Sequence, residues 1–320
     1  MKILEYDEVD PMEVLLLNLL GLDYPLTPKR VKLIRQYDAR PFQFFALYAI
    51  IEGVIAGQVG VFRLPMVSTE GPEDVGGIWA VCTLPSFKRQ GVASRLMKEA
   101  HERMRAEGLR FSSLGTSRYR VAYSLYLKWG YQDVFSSASM LIQRQALIKH
   151  NHSLTAEQGD SEQISLTDDL FRKVSANCFG FARRFEPFIP AMVAIREIAM
   201  GKIGEKNVWL LWEDNELVGY LIVKDSESVL KIVDMLLTKD VDPISAIASL
   251  TRKYSTPYLQ IQSNQPSITE SLSKTGARVV PQDWSTFMIK PLTAEVMNID
   301  IKDFFGVGTD RFLFSWMDST

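Results

Sequence analysis

Six residues, Lys88-Arg89-Gln90-Gly91-Val92-Ala93, stand where a strand hands over to a helix. Upstream, GGIWAVCTLP has the β-branched and aromatic content of a strand. Downstream, Val92, Leu96, Ala100 and Met104 recur every four residues, with Arg95, Lys98, Glu99, Glu102 and Arg103 on the other face. The first amides of a helix lack internal partners and its dipole is positive there, so a basic turn running into a helix start suits a phosphate. A phosphate-bearing cofactor is expected at this turn. Other candidate chemistry is thinner. Cys82 offers a thiol on the strand, but no His or carboxylate lies near it in sequence to activate it, and it reads as a small packing residue. His101 falls mid-helix and His150 and His152 in a polar stretch; all three read as exposed, and no metal-ligand spacing exists. Glu70, Glu73 and Asp74 cluster in a run of turn residues, either as a solvated loop or as a site for a cationic group. The Arg183-Arg184 pair reads as a solvated face.

The order strand, K-R-Q-G-V-A, amphipathic helix, strand, then A-Y-S-L-Y-L-K-W-G-Y at 122–131 resembles the GNAT superfamily of acyl-CoA-dependent N-acyltransferases. In that family a Q/R-x-x-G-x-G/A loop wraps the pyrophosphate of coenzyme A with its amides. Gly91 and Ala93 match the last two anchors, and Lys88 stands where Gln or Arg is usual. The resemblance assigns Lys88, Arg89, Gln90, Gly91, Val92, Ala93 and Ser94 to acetyl-CoA, with main-chain groups of Val81, Cys82 and Thr83 on the pantetheine arm. Further on, Ala122, Leu125, Tyr126, Lys128, Gly130 and Tyr131 fit the family's A-x-x-L-Y-x-K-x-G-F, whereas the usual Asn falls on Tyr119. Tyr126 lands where the family places a tyrosine that protonates the departing thiolate, and a phenol is protonated at neutral pH. A primary amine on a small molecule or peptide would attack directly. Its proton is left to Glu73 or Asp74, or to a water relay.

The elements that must position these residues come in two series. Two helices broken at GLDYPLTP, a hairpin turning at Glu52-Gly53, a turn-rich loop at 63–77, the strand and helix above, a strand at 109–117, a short helix and a closing strand QDVFSSASMLIQ make the first. After a polar linker the same order recurs, with a hairpin turning at Asp214-Asn215, a strand at 229–238 and a last strand DWSTFMIKPL. The expected architecture is an α/β, mixed-sheet GNAT fold in tandem: 1–147 catalytic and acetyl-CoA-binding, 148–163 linker, 164–293 a degenerate GNAT-like domain, and 294–320 a tail. In the second copy Asp242-Pro243 replaces the basic loop, a capping carboxylate where phosphate would sit, and Leu272 replaces Tyr126. One cofactor site per chain follows.

Composition sets the bounds. With 320 residues, 47% hydrophobic and a formal charge of −2, the chain can bury two cores and nothing global points to nucleic acid or an anionic membrane. Two cysteines in separate segments and an acidic N-terminus favour a soluble, cytoplasmic protein. Two other readings stay open: a non-catalytic acyl-CoA-binding or regulatory module, and an interaction protein whose aromatic tail (Phe304, Phe305, Phe312, Phe314, Trp316) docks a partner or a second subunit.

Overall fold

Tight turns fix the strand register in both halves. Pro41–Ile51 (β2) and Val54–Ser68 (β3) meet at Glu52-Gly53, with φ of +52° and +81°. Asp214 and Asn215, at +48° and +66°, do the same later in the chain. Paired positive φ angles belong to a two-residue turn whose twist matches that of the flanking strands. The computed structural model describes residues 1–150, 153–200, 204–281 and 285–319.

The first series runs β1 (Lys2–Glu5), α1 (Pro11–Leu22), α2 (Pro28–Tyr37), β2, β3, β4 (Gly71–Thr83), α3 (Val92–Ala106), β5 (Phe111–Ser117), α4 (Val121–Lys128), β6 (Gln132–Phe135), β7 (Ala138–Gln143) and α5 (Arg144–Ile148). The second runs β8 (Thr155–Gln158), α6 (Ser161–Ser175), β9 (Phe179–Gly180), α7 (Phe188–Met200), β10 (Val208–Glu213), β11 (Glu216–Asp225), β12 (Val229–Leu237), α8 (Pro243–Ala248), β13 (Tyr258–Ser263), α9 (Pro266–Ser273), β14 (Arg278–Val280) and β15 (Ser285–Pro291). The tail adds α10 (Ile301–Phe304) and β16 (Phe312–Leu313).

The two sheets have the same plan, β1-β2-β3-β4-β5-β15-β6 and β8-β10-β11-β12-β13-β7-β14. Along each of these paths one parallel pair, β4 with β5 and β12 with β13, sits among antiparallel neighbours, and the first sheet carries β9 beside β3 with β16 parallel to it. The mixed α/β tandem fold is as expected, with one difference. The closing strand of each series lies in the other's sheet: β7 pairs with β13 and β14, and β15 with β5 and β6. Met140 and Ile142 are buried in the second core; Phe287, Met288 and Ile289 are buried with first-half residues. The boundary at 147/148 therefore does not separate two sheets. A strand's own pattern shows that it has a buried face but not which neighbour supplies the hydrogen bonds.

Three further segments depart from expectation. Residues 148–163 are not merely a linker, because β8 forms the edge of the second sheet and Asp160 caps α6. The run at 63–77 is not a loop: β3 and β4 pair from Ser68↔Gly71 upward, and only Thr69-Glu70 turns. The tail is core, with Phe304, Phe305 and Phe312 all buried, so these aromatics are not available to dock a partner.

Candidate functional site

The site begins as a parting of two strands. β4 pairs with β5 only from Val75↔Phe111 to Ile78↔Leu114, and beyond that the two diverge. The cause lies in β4. Its register with β3 shifts between Gly60↔Trp79 and Gln58↔Cys82, so β4 carries an extra residue, and Ala80 has φ +49°. Such a bulge bends its strand and interrupts the ladder. Gly60 allows the bend, because a Cβ there would stand 2.1 Å from Nε1 of Trp79.

A buried amide pair holds the bulge. Gln58 Nε2 donates to the Ala80 carbonyl (3.1 Å) and to Asn18 Oδ1 (2.8 Å), while Asn18 Nδ2 donates to Gln58 Oε1 (2.9 Å) and to the Val14 carbonyl (2.8 Å). Both side chains are buried. Sequence reasoning missed them. The available signal was a lone polar residue within each apolar run, LLLNLLGL and VIAGQVGV.

A cleft of about 630 Å³ opens where the strands part, lined by Ile78 to Val81, Leu114 to Ser117, Arg120, Ala122 and Tyr126 from the first half. Tyr126 is 7% exposed, and burial, partly offset by Arg120, pushes its phenol up to about 12. Its hydroxyl makes no hydrogen bond to another described residue and stays protonated at neutral pH. Arg120, at the N-cap of α4, is a second residue that the motif did not single out. Tyr119, which stands in place of the family's Asn, is 86% exposed and does not line the cleft.

The basic turn follows β4. Arg89 and Gly91 both have positive φ, +63° and +80°, and Gly91 is the residue on which α3 starts. The first helical bond comes from the Arg95 amide to the Gly91 carbonyl (3.0 Å), which leaves the amides of Val92, Ala93 and Ser94 without internal partners. Lys88, Arg89 and Gln90 are exposed around them. Left-handed residues in such a turn aim successive amides into an anion-binding hollow. A Cβ at Gly91 would meet nothing within 4 Å, so glycine is required here by its φ and not by crowding. Val81 lines the cleft, and Cys82 and Thr83 carry β4 on toward the turn. The Cys82 thiol is buried and pushed up to about 12 by that burial, which removes it as a nucleophile.

Three expectations fail on placement. Glu73 is buried and ion-paired with Arg110, and Asp74 pairs with Arg63 and Arg183 (3.6 and 3.2 Å). Glu73 lies five residues before Ile78 on an extended strand, about 17 Å from the cleft at ~3.3 Å per residue. Neither carboxylate reaches it as a base, and Glu70 is also held, by Arg110 at 3.5 Å. His101 is not exposed. It is 5% accessible, with Nε2 2.8 Å from the Tyr131 hydroxyl, because position 101 falls beside the apolar stripe of α3. Nor is Arg184 a solvated side chain; it is buried against Asp318. His150 is exposed and His152 lies outside the described residues.

The equivalent element of the second half is closed. Asp242 accepts hydrogen bonds from the amides of Ile244 (3.3 Å) and Ser245 (3.0 Å), and Leu272 is fully buried in the core. Among the described residues no group of three or more His, Cys, Asp and Glu could hold a metal ion, and no helix is long and apolar enough to cross a membrane.

Residues 13–131 match the sequence model of the acetyltransferase (GNAT) family. Three solved structures are similar over most of the chain. One is a probable N-acyltransferase, a conserved protein of unknown function from Enterococcus faecalis V583: 14% identity, TM-score 0.73, covering 92% of this chain and 73% of that one. A second is a GCN5-related N-acetyltransferase from Anabaena variabilis ATCC 29413: 15% identity, TM-score 0.69, coverage 91% and 73%. A third is Eis1 from Mycobacterium abscessus: 12% identity, TM-score 0.63, coverage 92% and 75%. At such identities the likeness establishes a shared fold. No curated protein matches the sequence.

Proposed function

Because residues 13–131 match the sequence model of the acetyltransferase (GNAT) family, we propose that the protein transfers an acetyl group from acetyl-CoA to a primary amine, and does so in its first half alone. The observation that carries this reading is the parting of β4 from β5 beyond Ile78, with Tyr126 in the wall of the resulting cleft. Acetyl-CoA supplies an acyl group already activated as a thioester. The amides from Arg89 to Ser94 would hold its pyrophosphate, with Lys88 and Arg89 adding charge. Main-chain groups of Val81 to Thr83 would bind the pantetheine arm, and an amide there would stabilise the oxyanion. Tyr126 gives its proton to the departing sulfur. The amine's proton passes to water, since Glu73 and Asp74 are paired elsewhere.

In this reading the acetyl-CoA-binding unit is residues 1–135 completed by β15, and the second half supplies support without a site of its own. A cytoplasmic location fits such a reaction. Calorimetric titration should give one acetyl-CoA site per chain, and amines should then release free thiol. Two equivalent sites would contradict the assignment to the first half. Binding with no thiol released across a broad amine panel would leave an acyl-CoA-binding module instead.

A further inference from the structure

Residues Phe314 to Trp316 lie where two strands of the second half part. β12 pairs with β13 only from Val229↔Tyr258 to Ile232↔Ile261, so the second half has its own parting of strands. That wedge is filled. Only about 30 Å³ remains between Val233 to Met235 and Gln262 to Gln265, walled by Phe314, Ser315 and Trp316. Trp316 and Gln262 also line the 630 Å³ cleft of the first half. Trp316 thus borders both the filled wedge and the open one.

Trp316 is held from both halves. Arg184 Nε and Nη2 donate to the two Asp318 carboxylate oxygens, each at 2.7 Å, and Nη1 donates to the Tyr220 hydroxyl at 2.9 Å. Tyr220 in turn donates to Asp234 at 2.9 Å. Arg40 Nη1 donates to the carbonyls of Met317 (3.2 Å) and Asp318 (2.7 Å), and its other nitrogens grip Asp38. The five charged groups, Arg40, Arg184, Asp38, Asp234 and Asp318, are buried. Buried bidentate pairs add little net stability, and their worth lies in fixing geometry. What they fix here is the residue between Ser315 and Met317.

Away from Val81 and Tyr126, the cleft is walled by Leu22, Tyr24, Trp79 and Trp316. Tyr24 is covered on one face by the Arg30 guanidinium at 3.9 Å, and Trp79 is fixed by stacking on Phe62 at 5.3 Å. Rigid rings on several sides recognise a flat apolar body. The acidic cluster that sequence offered for a cationic acceptor is paired with arginines elsewhere.

We propose that the acceptor is an amine carried on a flat, apolar, aromatic body, and that Trp316, positioned by the Asp318–Arg184 latch, is the wall that selects it. This rests on the acetyl-transfer reading. In the step, the acetyl C–S bond breaks and a C–N bond forms; the thiolate takes the Tyr126 proton, the amine loses one to water, and solvent reprotonates Tyr126.

The test measures thiol released from acetyl-CoA with tryptamine, phenethylamine and spermidine as acceptors, in the wild type, Trp316→Ala, Trp316→Phe and Asp318→Asn. For tryptamine over spermidine, kcat/KM should be at least about tenfold higher, and Trp316→Ala should cancel roughly that factor through KM. Acetyl-CoA affinity should not move in that variant. Trp316→Phe should restore most of the loss, and Asp318→Asn should raise KM for the aromatic amines more than for spermidine. Transfer to spermidine in preference, or Trp316→Ala without effect in a folded protein, overturns the acceptor class and leaves acetyl transfer standing. Acetyl-CoA binding with no thiol released by any amine overturns both.

Discussion

Gln58 donates from Nε2 to the Ala80 carbonyl at 3.1 Å, and through that bond a buried amide on β3 holds the bulge from which β4 leaves its neighbour. Ala80 at φ +49° is a non-glycine residue in the left-handed region, at a cost of about 1–2 kcal/mol. Such a conformation persists where its surroundings enforce it. Asn18 grips both ends of the Gln58 amide, so the donor cannot turn away. Asn18→Leu removes both bonds that Asn18 makes to Gln58 and leaves the buried Gln58 Oε1 without its donor, which should lower stability to urea by about 1–3 kcal/mol. Acetyl-CoA affinity should fall as well. An unchanged affinity under conditions where the variant is folded would mean that the clasp supports the sheet and not the site.

The basic turn allows backbone shape to be separated from charge. Gly91→Ala meets no steric obstacle, but places a Cβ at φ +80°, a loss of roughly 1–2 kcal/mol that the turn can relieve only by changing shape. Weaker acetyl-CoA binding is expected at every salt concentration. Lys88→Ala removes only an exposed charge, so its smaller effect should fade as salt rises past about 0.15 M. If the two variants show the same salt dependence, the amides are not the principal ligands.

Tyr126 is distinguished from a wall residue by its proton. Tyr126→Phe keeps the ring and its edge contacts with Trp129 and Tyr131, so acetyl-CoA affinity should hold while kcat drops by about 10²–10⁴. Burial keeps the phenol protonated to about pH 12. The rate should therefore rise with pH as the acceptor amine loses its proton, with no descending limb from this group below roughly pH 11. A kcat within twofold of the wild type would make Tyr126 a packing residue.

What the sequence disclosed follows from how local each signal is. The turn at Glu52-Gly53, the start of α3 at Gly91 and the cap at Asp242 are set by one to four adjacent residues, and all three lie where the residues themselves demand. Tyr126 reached the cleft because its spacing on one short helix fixed its direction. The rest depends on partners far away in the chain. Nothing in ASMLIQ says that it joins Tyr258–Ser263 in place of Phe111–Ser117. Glu73 looked free because its partner Arg110 is 37 residues away. The Arg184–Asp318 latch spans 134 residues, and an arginine pair in sequence carries no mark of being buried.

His101 gives the last prediction, on the pH dependence of stability. Ser112 donates to the Gly76 carbonyl (3.1 Å), so its oxygen accepts from the Tyr131 hydroxyl (2.7 Å), and that oxygen accepts from His101 Nε2–H (2.8 Å). The chain of donors assigns the proton of the neutral ring to Nε2. Burial, with Lys290 and Arg105 nearby, lowers the imidazole to about 3. An unfolded histidine titrates near 6.5, so between these values the unfolded chain binds more protons and stability falls as pH falls. Above about pH 6.5 the effect is absent. Asp133, a carboxylate of the same unit, is depressed as well: burial raises it, but hydrogen bonds from Arg118, Thr286 and Tyr123 leave it lowered, so its contribution is lost only in more acid solution. Between pH 6.5 and 5 the wild type should lose about 2 kcal/mol through His101. His101→Gln keeps a donor and removes the titration, so its urea midpoint should change less over that window. Parallel pH curves for the two proteins would show that the ring is not held neutral by the fold.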